Sequence, residues 1–323
     1  MKLTPWVEQN VLYDVRGAGI YIEDGNEMFN MVKYNIAVCP WIKGASFNAD
    51  VESPHGAGCA IPGTDNFGTD SDSFVGIWSI SPTNYLIGNR VPNYYNGIFV
   101  EVQRNGGQGR AEGQVCAQHS AIVGFEGNTA HGAQRFGTYL HNDVSPRHIS
   151  QSVENNGFAD LATCDVVWLD DGENNGWPMK ISNNVDYGSV FVGGYGTADM
   201  QFEKHTSIEC NNGIYWKNTK NFADGCSAHI RNDFFLDTHL AMPDASAFIV
   251  QDTVFKGRTD LESGHHCGAL CFGHYVFQNM TWEADDDDRP LFQFPPENHG
   301  FGGIFSLSPP EAAAMNPLEI SFR

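Results

Sequence analysis

A five-residue segment recurs along the chain and restricts its possible folds more than any other feature. The segment consists of glycine, an aliphatic residue or threonine, an aromatic residue, a large apolar residue and an ionisable residue. Aromatic and β-branched residues pack well on a pleated surface, so such runs are typical of short β-strands. Clear copies occupy 19–23, 97–101, 137–141 and 213–217, and degenerate copies occupy 188–192 and 247–250.

The spacing of these copies indicates a solenoid. The clear copies begin 78, 40 and 76 residues apart. If the intervals hold three, two and three repeats, one repeat has about 20 to 26 residues, a period typical of solenoids. Helical periodicity is rare, and asparagine–glycine pairs indicate tight corners. The pattern predicts an all-β parallel β-helix with glycine-rich corners and long loop insertions. A β-sandwich and a β-propeller remain alternatives because both contain many short strands.

Composition divides the chain into two parts. Residues 1–282 are predicted to form the solenoid, with a Pro-, Gly- and Asp-rich excursion over 40–75. From residue 283 an acidic run and then Pro-rich sequence follow. Residues 283–323 are therefore predicted to form a separate segment that is extended or caps the solenoid.

Charge and cysteine content restrict partners and compartment. The 323 residues include 18 Lys and Arg against 39 Asp and Glu, a net charge of −21. This balance excludes a broad electrostatic interaction with nucleic acid. No apolar run is long enough for direct membrane insertion. Eight cysteines and one N-x-T sequon at Asn279 favour an extracellular or cell-surface protein, with the disulfide pairing open. No signal peptide is visible, which predicts a fragment of a larger protein.

The recurring segment also predicts a binding surface. Alternate side chains of a strand face opposite sides, so the aromatic and ionisable residues of each copy share one side. Charges are costly to bury, which predicts that this side faces outward and presents aromatic rings to sugar rings. The alternative is that loops cover the aromatic column. The predicted substrate-binding residues of the segment are Tyr21, Phe99, Glu101, Tyr139, His141 and Tyr215.

Carboxylates are candidates for glycoside hydrolysis, which uses two carboxyl groups roughly 5 to 10 Å apart. Glu23 and Asp24 end one β-like run, and Asp170 and Asp171 end another. Neighbours on a strand point apart, so a catalytic pair would come from different coils. Capping of the turns by these residues is the alternative.

One loop is a candidate calcium site. Residues 65–72 are rich in the oxygen ligands that Ca²⁺ prefers, with Asp65, Asp70 and Asp72 as candidate ligands. The alternative is a solvated loop. Zinc is disfavoured at residues 265–274, because an extracellular setting favours disulfides there.

Longer motifs resemble a known family. They occupy 10–27, 30–38, 77–78, 82–89 and 125–137, and the similarity extends over about residues 8–142. Together they resemble the β-helix region of the G8-domain family, which includes the cell-migration-inducing hyaluronan-binding protein, a transmembrane hyaluronidase and fibrocystin-L. The G8 domain itself is absent from this sequence.

The resemblance implies a right-handed parallel β-helix, a cell-surface setting and glycan handling, which in some members is calcium-dependent hyaluronan degradation. Glu23, Asp24, His131 and Arg135 lie inside the matching motifs, which adds His131 to the catalytic candidates and Arg135 to the substrate-binding residues. We therefore expect an extracellular β-helix module that binds polysaccharide, with hyaluronidase-like hydrolysis left open. The alternative is a non-catalytic adhesion or matrix module of a larger fibrocystin-like protein.

Overall fold

A computed structural model describes much of the chain as a stack of short β-strands. The described part contains 28 strands, which form three sheets. The described residues are 5–40 without 24 and 26, 59, 74–101, 122–140, 179–196, 200–216, 227–242, 245–262, 272–284, 292–293 and 304–307.

The three sheets are designated A, B and C. Sheet A contains, in spatial order, β1 (Trp6–Glu8), β4 (Met31–Lys33), β7 (Tyr85–Ile87), β10 (Gly124–Glu126), β13 (Met179–Ser182), β16 (Met200–Glu203), β19 (Ser227–Arg231), β22 (Ala245–Gln251), β25 (Phe272–Gln278) and β28 (Ile304–Leu307). Sheet B contains β2 (Val11–Tyr13), β5 (Ile36–Val38), β8 (Arg90–Pro92), β11 (Thr129–His131), β14 (Val185–Tyr187), β17 (Thr206–Ile208), β20 (Phe234–Leu236), β23 (Val254–Gly257) and β26 (Thr281–Ala284). Sheet C contains β3 (Ala18–Ile22), β6 (Val75–Ser79), β9 (Asn96–Val100), β12 (Phe136–Leu140), β15 (Val192–Gly196), β18 (Asn212–Trp216), β21 (His239–Ala241), β24 (Asp260–Glu262) and β27 (Phe292–Gln293).

The chain visits sheets A, B and C in turn, and each visit to the three sheets is one coil. Every paired strand is parallel to its neighbours, which come from the preceding and following coils. Within the described ranges, nine coils have all three strands, and β28 belongs to a tenth. The architecture is a right-handed parallel β-helix, as the sequence predicted.

Asparagine side chains form a ladder at the corner between sheets A and B. Each coil has one residue with positive φ there, such as Tyr34 at 54° or Gly88 at 64°, followed by an inward-facing residue. The backbone N–H of Asn35 donates to Oδ1 of Asn89 at 3.1 Å, and that of Asn89 donates to Oδ1 of Asn128 at 3.0 Å. A corner leaves backbone groups outside the strand ladders, and these buried amides satisfy them. The ladder runs through Asn10, Asn35, Asn89, Asn128 and Asn184.

The glycines of the recurring segment lie within strands of sheet C, so the prediction that they occupy corners is wrong. They face sheet B across the narrow interior. A Cβ atom on Gly97 would lie 2.8 Å from Cβ of Ala130, and one on Gly137 would lie 2.3 Å from Oδ1 of Asp186. Protein atoms do not approach so closely, so only glycine fits at these positions.

The predicted number of coils also needs correction. Sheet C places the copies at 19 and 97 two coils apart, those at 97 and 137 one coil apart, and those at 137 and 213 two coils apart. The extra residues of these intervals lie mostly outside the described ranges. The degenerate copies are also misplaced: the sheet C strand is Val192–Gly196 rather than 188–192, and 247–250 lies in sheet A.

The sheets continue beyond residue 282, where composition placed a boundary. β26 ends at Ala284, β27 pairs with β24, and β28 pairs with β25. Cys39, directly after β5, forms a disulfide with Cys59, while Cys210 is a buried free thiol. Cys116, Cys164, Cys226, Cys267 and Cys271 lie outside the described residues.

Candidate functional site

Sheet C contains the aromatic column that the recurring segment predicted. Its aligned residues extend over six consecutive coils because Trp78 and Tyr195, whose strands depart from the recurring segment, fill the intervening coils. The rings of Phe99 and Tyr139 stack 4.5 Å apart and are nearly parallel. The column is Tyr21, Trp78, Phe99, Tyr139, Tyr195 and Tyr215.

This column lies on the outer side of sheet C, but it is buried rather than open. Phe99 is 1 % exposed, Tyr139 7 % and Tyr215 9 %, and Tyr21 is half-buried. The other side of these strands faces the interior: Thr138 donates a hydrogen bond to Asp186 of sheet B, and Trp216 packs against Phe202 of sheet A. Because neighbouring residues of a strand point to opposite sides, Tyr139 and Tyr215 point away from that interior. The column is therefore covered, which is the alternative that the sequence left open, and it offers no open platform for sugar rings.

The other predicted site residues are scattered. Glu23 is exposed just beyond β3, and the backbone N–H of Glu101 donates to the carbonyl of Ser79. The guanidinium of Arg135 lies 4.7 Å from the ring centre of Phe136, within reach of a cation–π contact. Residues that lie outside the described ranges are Asp24, Asp65, Asp70, Asp72, His141, Asp170 and Asp171.

His131 is the predicted site residue that takes part in a stacked ring pair on sheet B. It ends β11, and its ring stacks on the ring of Tyr187 in the next coil at 4.5 Å and 9°. Tyr187 is 40 % exposed, whereas His131 is half-buried, and this burial lowers the pKa of His131. The two rings therefore present a stacked aromatic surface on the outside of sheet B.

The stacked pair belongs to a longer surface row. In the three-residue strands of sheet B the middle residue is buried and the outer two are more exposed. The third residues align from coil to coil and extend over about 19 Å, at roughly 4.8 Å per strand. We call this set the outer row: Pro92, His131, Tyr187, Ile208 and Leu236.

A polar pocket opens at the corner between sheets B and C. It lies beside Ile208 and Leu236, the last two residues of the outer row. Its volume is about 400 Å³. Glu209 follows Ile208 and Asp237 follows Leu236, so the two carboxylates occupy equivalent positions in successive coils. Both have a positive φ, 51° and 50°, which turns the chain from sheet B towards sheet C. We call this the corner pocket, lined by Glu209, Cys210, Asn211, Asp237, His239 and Arg258.

The corner pocket combines hydrogen-bond donors with acceptors. Nδ1 of His239 contacts Oδ1 of the fully buried Asp260, which orients a ring that is 34 % exposed. The backbone N–H of Arg258 donates to Oδ1 of Asp237 at 2.9 Å, and its Nε lies 3.8 Å from the same oxygen. The carboxylates accept hydrogen bonds, the guanidinium donates them, and an asparagine amide does both.

A buried polar cluster lies inside the solenoid, behind the corner pocket. His205 occupies the ladder position after Asn184, and its Nε2 lies 3.6 Å from Oδ2 of Asp186. Burial raises the pKa of Asp186 well above its usual range and lowers the pKa of His205 to about 3. His205 is thus neutral near neutral pH, and burial favours the neutral form of Asp186. Burial, with Asp186 adding to it, also raises the pKa of the Cys210 thiol to about 11, so this pocket-lining thiol is unreactive.

Sequence reasoning missed the corner pocket. Its residues follow the runs Thr206–Ile208, Phe234–Leu236 and Val254–Gly257, which contain no glycine-first segment. The available signal was the corner motif before these strands, in which a positive-φ residue precedes asparagine or its substitute. Aligning the chain on that motif would have placed Glu209 and Asp237 in one column.

The described residues contain no group of three or more His, Cys, Asp or Glu side chains placed to hold a metal ion. They also contain no helix with the length and apolarity needed to cross a bilayer.

The stacked coils define the class of this protein as a parallel β-helix with a polar pocket on one corner. Residues 5–138 match the family model described as CEMIP beta-helix. Human fibrocystin-L is 22 % identical over 218 residues, which are 62 % of this chain and 5 % of that protein. Mouse fibrocystin-L is 23 % identical over 141 residues, or 43 % of this chain and 3 % of that protein. The chain therefore contains a β-helix region similar to those of CEMIP and fibrocystin-L, and this resemblance is confirmed. It spans 5 % or less of these curated relatives.

Proposed function

We propose that this β-helix is a polysaccharide-binding module of a larger cell-surface protein. The glycan lies along the outer row and enters the corner pocket. The observation that carries the proposal is the stacked ring pair of half-buried His131 and exposed Tyr187, which lies on the same row as Ile208 and Leu236 beside a pocket rich in hydrogen-bonding groups.

The two parts of this surface suit the two parts of a sugar ring. The C–H faces of a sugar pack against aromatic and apolar side chains, which the outer row supplies. Sugar hydroxyls both donate and accept hydrogen bonds, and the corner pocket offers Glu209 and Asp237 as acceptors and Arg258 as a donor. Because the β-helix repeats every coil, several sugars of one chain can contact successive strands.

Two observations support the proposal that the chain is a module of a larger cell-surface protein. The chain matches a small part of much longer relatives, which fits a module within a larger protein. The disulfide between Cys39 and Cys59 fits an oxidising compartment, because cytosolic thiols are kept reduced.

Calorimetric titration with a panel of sized glycans, with calcium and with a chelator, tests the proposal. Tyr187→Ala removes the exposed ring and is expected to weaken binding several-fold, up to about tenfold, given about 0.5–1.5 kcal/mol for an aromatic contact. Tyr34→Ala is the matched control, since Tyr34 is 57 % exposed at the opposite corner. Equal effects of both substitutions, or no binding to any glycan, would refute the proposal.

Glycoside hydrolysis is a second candidate function of the same surface. Glu209 and Asp237 are one coil apart, so their backbones are separated by about 4.8 Å. Retaining glycosidases place their two carboxyl groups about 5–5.5 Å apart. Chain-length analysis after incubation with each bound glycan is the test, with Glu209→Gln and Asp237→Asn as inactive controls. Unchanged chain lengths would exclude hydrolysis and leave the non-catalytic adhesion module.

A further inference from the structure

We propose that the glycan recognised by the outer row and corner pocket is uncharged, rather than a polyanion such as hyaluronan. This inference rests on the proposed glycan-binding function and adds the class of sugar. It is carried by the charges of this surface and by the hydrogen-bonding capacity of the pocket.

Two cations at the pocket end of this surface, Lys256 and Arg258, are already paired with carboxylates. Nζ of Lys256, which follows Leu236 in register, lies 2.7 Å from Oε2 of Glu283. Arg258, inside the corner pocket, is paired with Asp237. A bound polyanion would have to compete with these carboxylates for both cations, whereas an uncharged sugar leaves the pairs intact.

The acceptors of the corner pocket require donors. Glu209 and Asp237 can only accept hydrogen bonds when ionised. The hydroxyl groups of a neutral sugar donate to them directly. A uronate carboxylate or a sulfate presents acceptors only, so it would face two carboxylates with no shared proton and with like-charge repulsion.

The net charge of the whole chain also disfavours the binding of a polyanion. A net charge of −21 produces a negative potential that slows the approach of a polyanion. Salt screens such interactions beyond about 8 Å at physiological ionic strength. Weak residual binding of a polyanion should therefore strengthen as salt is added, while binding of a neutral glycan should change little.

Hyaluronan and carboxyl-reduced hyaluronan of the same length form a matched pair of probes, because they differ in charge and share their linkages. Neutral glucans and mannans complete the panel. Affinities are measured at low and at high salt. We expect the neutral probe to bind about tenfold more tightly or better at low salt, with little salt dependence.

Two double variants test whether the preference for the neutral probe arises from the carboxylates of the corner pocket. Glu209→Gln with Asp237→Asn removes two carboxylates of the pocket and is expected to bring hyaluronan closer to the reduced polymer in affinity. Glu126→Gln with Asp252→Asn removes the same charge away from the pocket, next to sheet A, and should leave the difference between the probes nearly unchanged. Equal effects of the two double variants would overturn the inference.

The outcomes separate the two proposals. Tighter, salt-independent binding of neutral probes supports the inference. Equal or tighter binding of hyaluronan overturns the inference and leaves the proposed glycan-binding function standing. Failure of every probe to bind overturns both.

Discussion

Nε2 of His205 lies 3.6 Å from Oδ2 of Asp186 in the interior of the solenoid, and solvent reaches neither side chain. His205 stands where five preceding coils place asparagine, so the amide ladder stops here. Thr138 donates a hydrogen bond to Asp186 from the facing sheet, but the Nδ2 of Asn184 has no acceptor among the described residues. An ionisable pair thus replaces an amide at this level of the core.

Acid should destabilise the fold through His205. Burial lowers its pKa to about 3 in the folded state from an ordinary value of 6.5, so the unfolded chain gains a proton first as pH falls. The contribution of His205 is complete above pH 6.5 and is lost progressively from there to about 3. Linkage predicts a loss of about 2 kcal/mol between pH 7 and 5. Urea unfolding of the unmodified protein and of His205→Asn across this range should show this loss as a difference between the two, since the raised pKa of Asp186 acts in the opposite direction.

His205→Asn should flatten that acid dependence, whatever its effect on stability at neutral pH. Asp186→Asn is the matched control. The raised pKa of Asp186 favours the folded state at low pH, and that contribution is lost as pH rises through and above the usual range of a carboxyl group. Asp186→Asn should therefore still lose stability as the pH falls from 7 to 5. An unchanged slope in His205→Asn would show that other groups cause the acid sensitivity.

Asn89→Ala should destabilise the protein by roughly 2–4 kcal/mol, because it breaks several buried hydrogen bonds at once. The Asn89 side chain accepts from Asn35 and donates to the carbonyl of Val32 and to Asn128. Asn211→Ala removes an exposed amide and should change stability by less than about 0.5 kcal/mol. Chemical unfolding of both variants gives the comparison, and similar losses would contradict a structural role for the ladder.

Gly97→Ala should be far more destabilising than Gly127→Ala. A Cβ atom on Gly97 would lie 2.3 Å from the carbonyl oxygen of Gly137, whereas one on Gly127 would meet its nearest atoms at 3.9 Å. Gly127→Ala costs only the strain of a positive φ, about 1–2 kcal/mol. Thermal unfolding should show Gly127→Ala folded and Gly97→Ala much less stable or unfolded. Equal melting temperatures would show that the coil interior can expand.

Phe99→Ala should lower stability by roughly 3–5 kcal/mol without changing the affinity of the folded protein for glycan, because Phe99 is buried. Phe99→Leu keeps more of the apolar volume and provides a folded variant for the binding measurement. Loss of glycan affinity in Phe99→Leu, with Tyr187→Ala unaffected, would return the binding surface to the sheet C column.

The recurring segment was enough to predict the fold class and the alignment of Tyr21, Phe99, Tyr139 and Tyr215, because strand alternation and coil stacking are local consequences of the sequence. The coil count was not predictable from it, since residues of long connections and residues of coils look alike when only intervals are counted. The positions of Glu209 and Asp237 also escaped prediction, because they lie in a corner whose register depends on the neighbouring coils.

The sequence by itself determined a parallel β-helix, an aromatic column and a strongly acidic chain, since these follow from residue order and composition. Only the tertiary structure decided which surfaces are open. Burial depends on what packs against each face, and it leaves Phe99 covered but Tyr187 exposed. The glycines of the recurring segment show the same division. Their spacing is visible in the sequence, but the requirement for glycine arises from the opposite sheet, whose atoms lie where a Cβ would be.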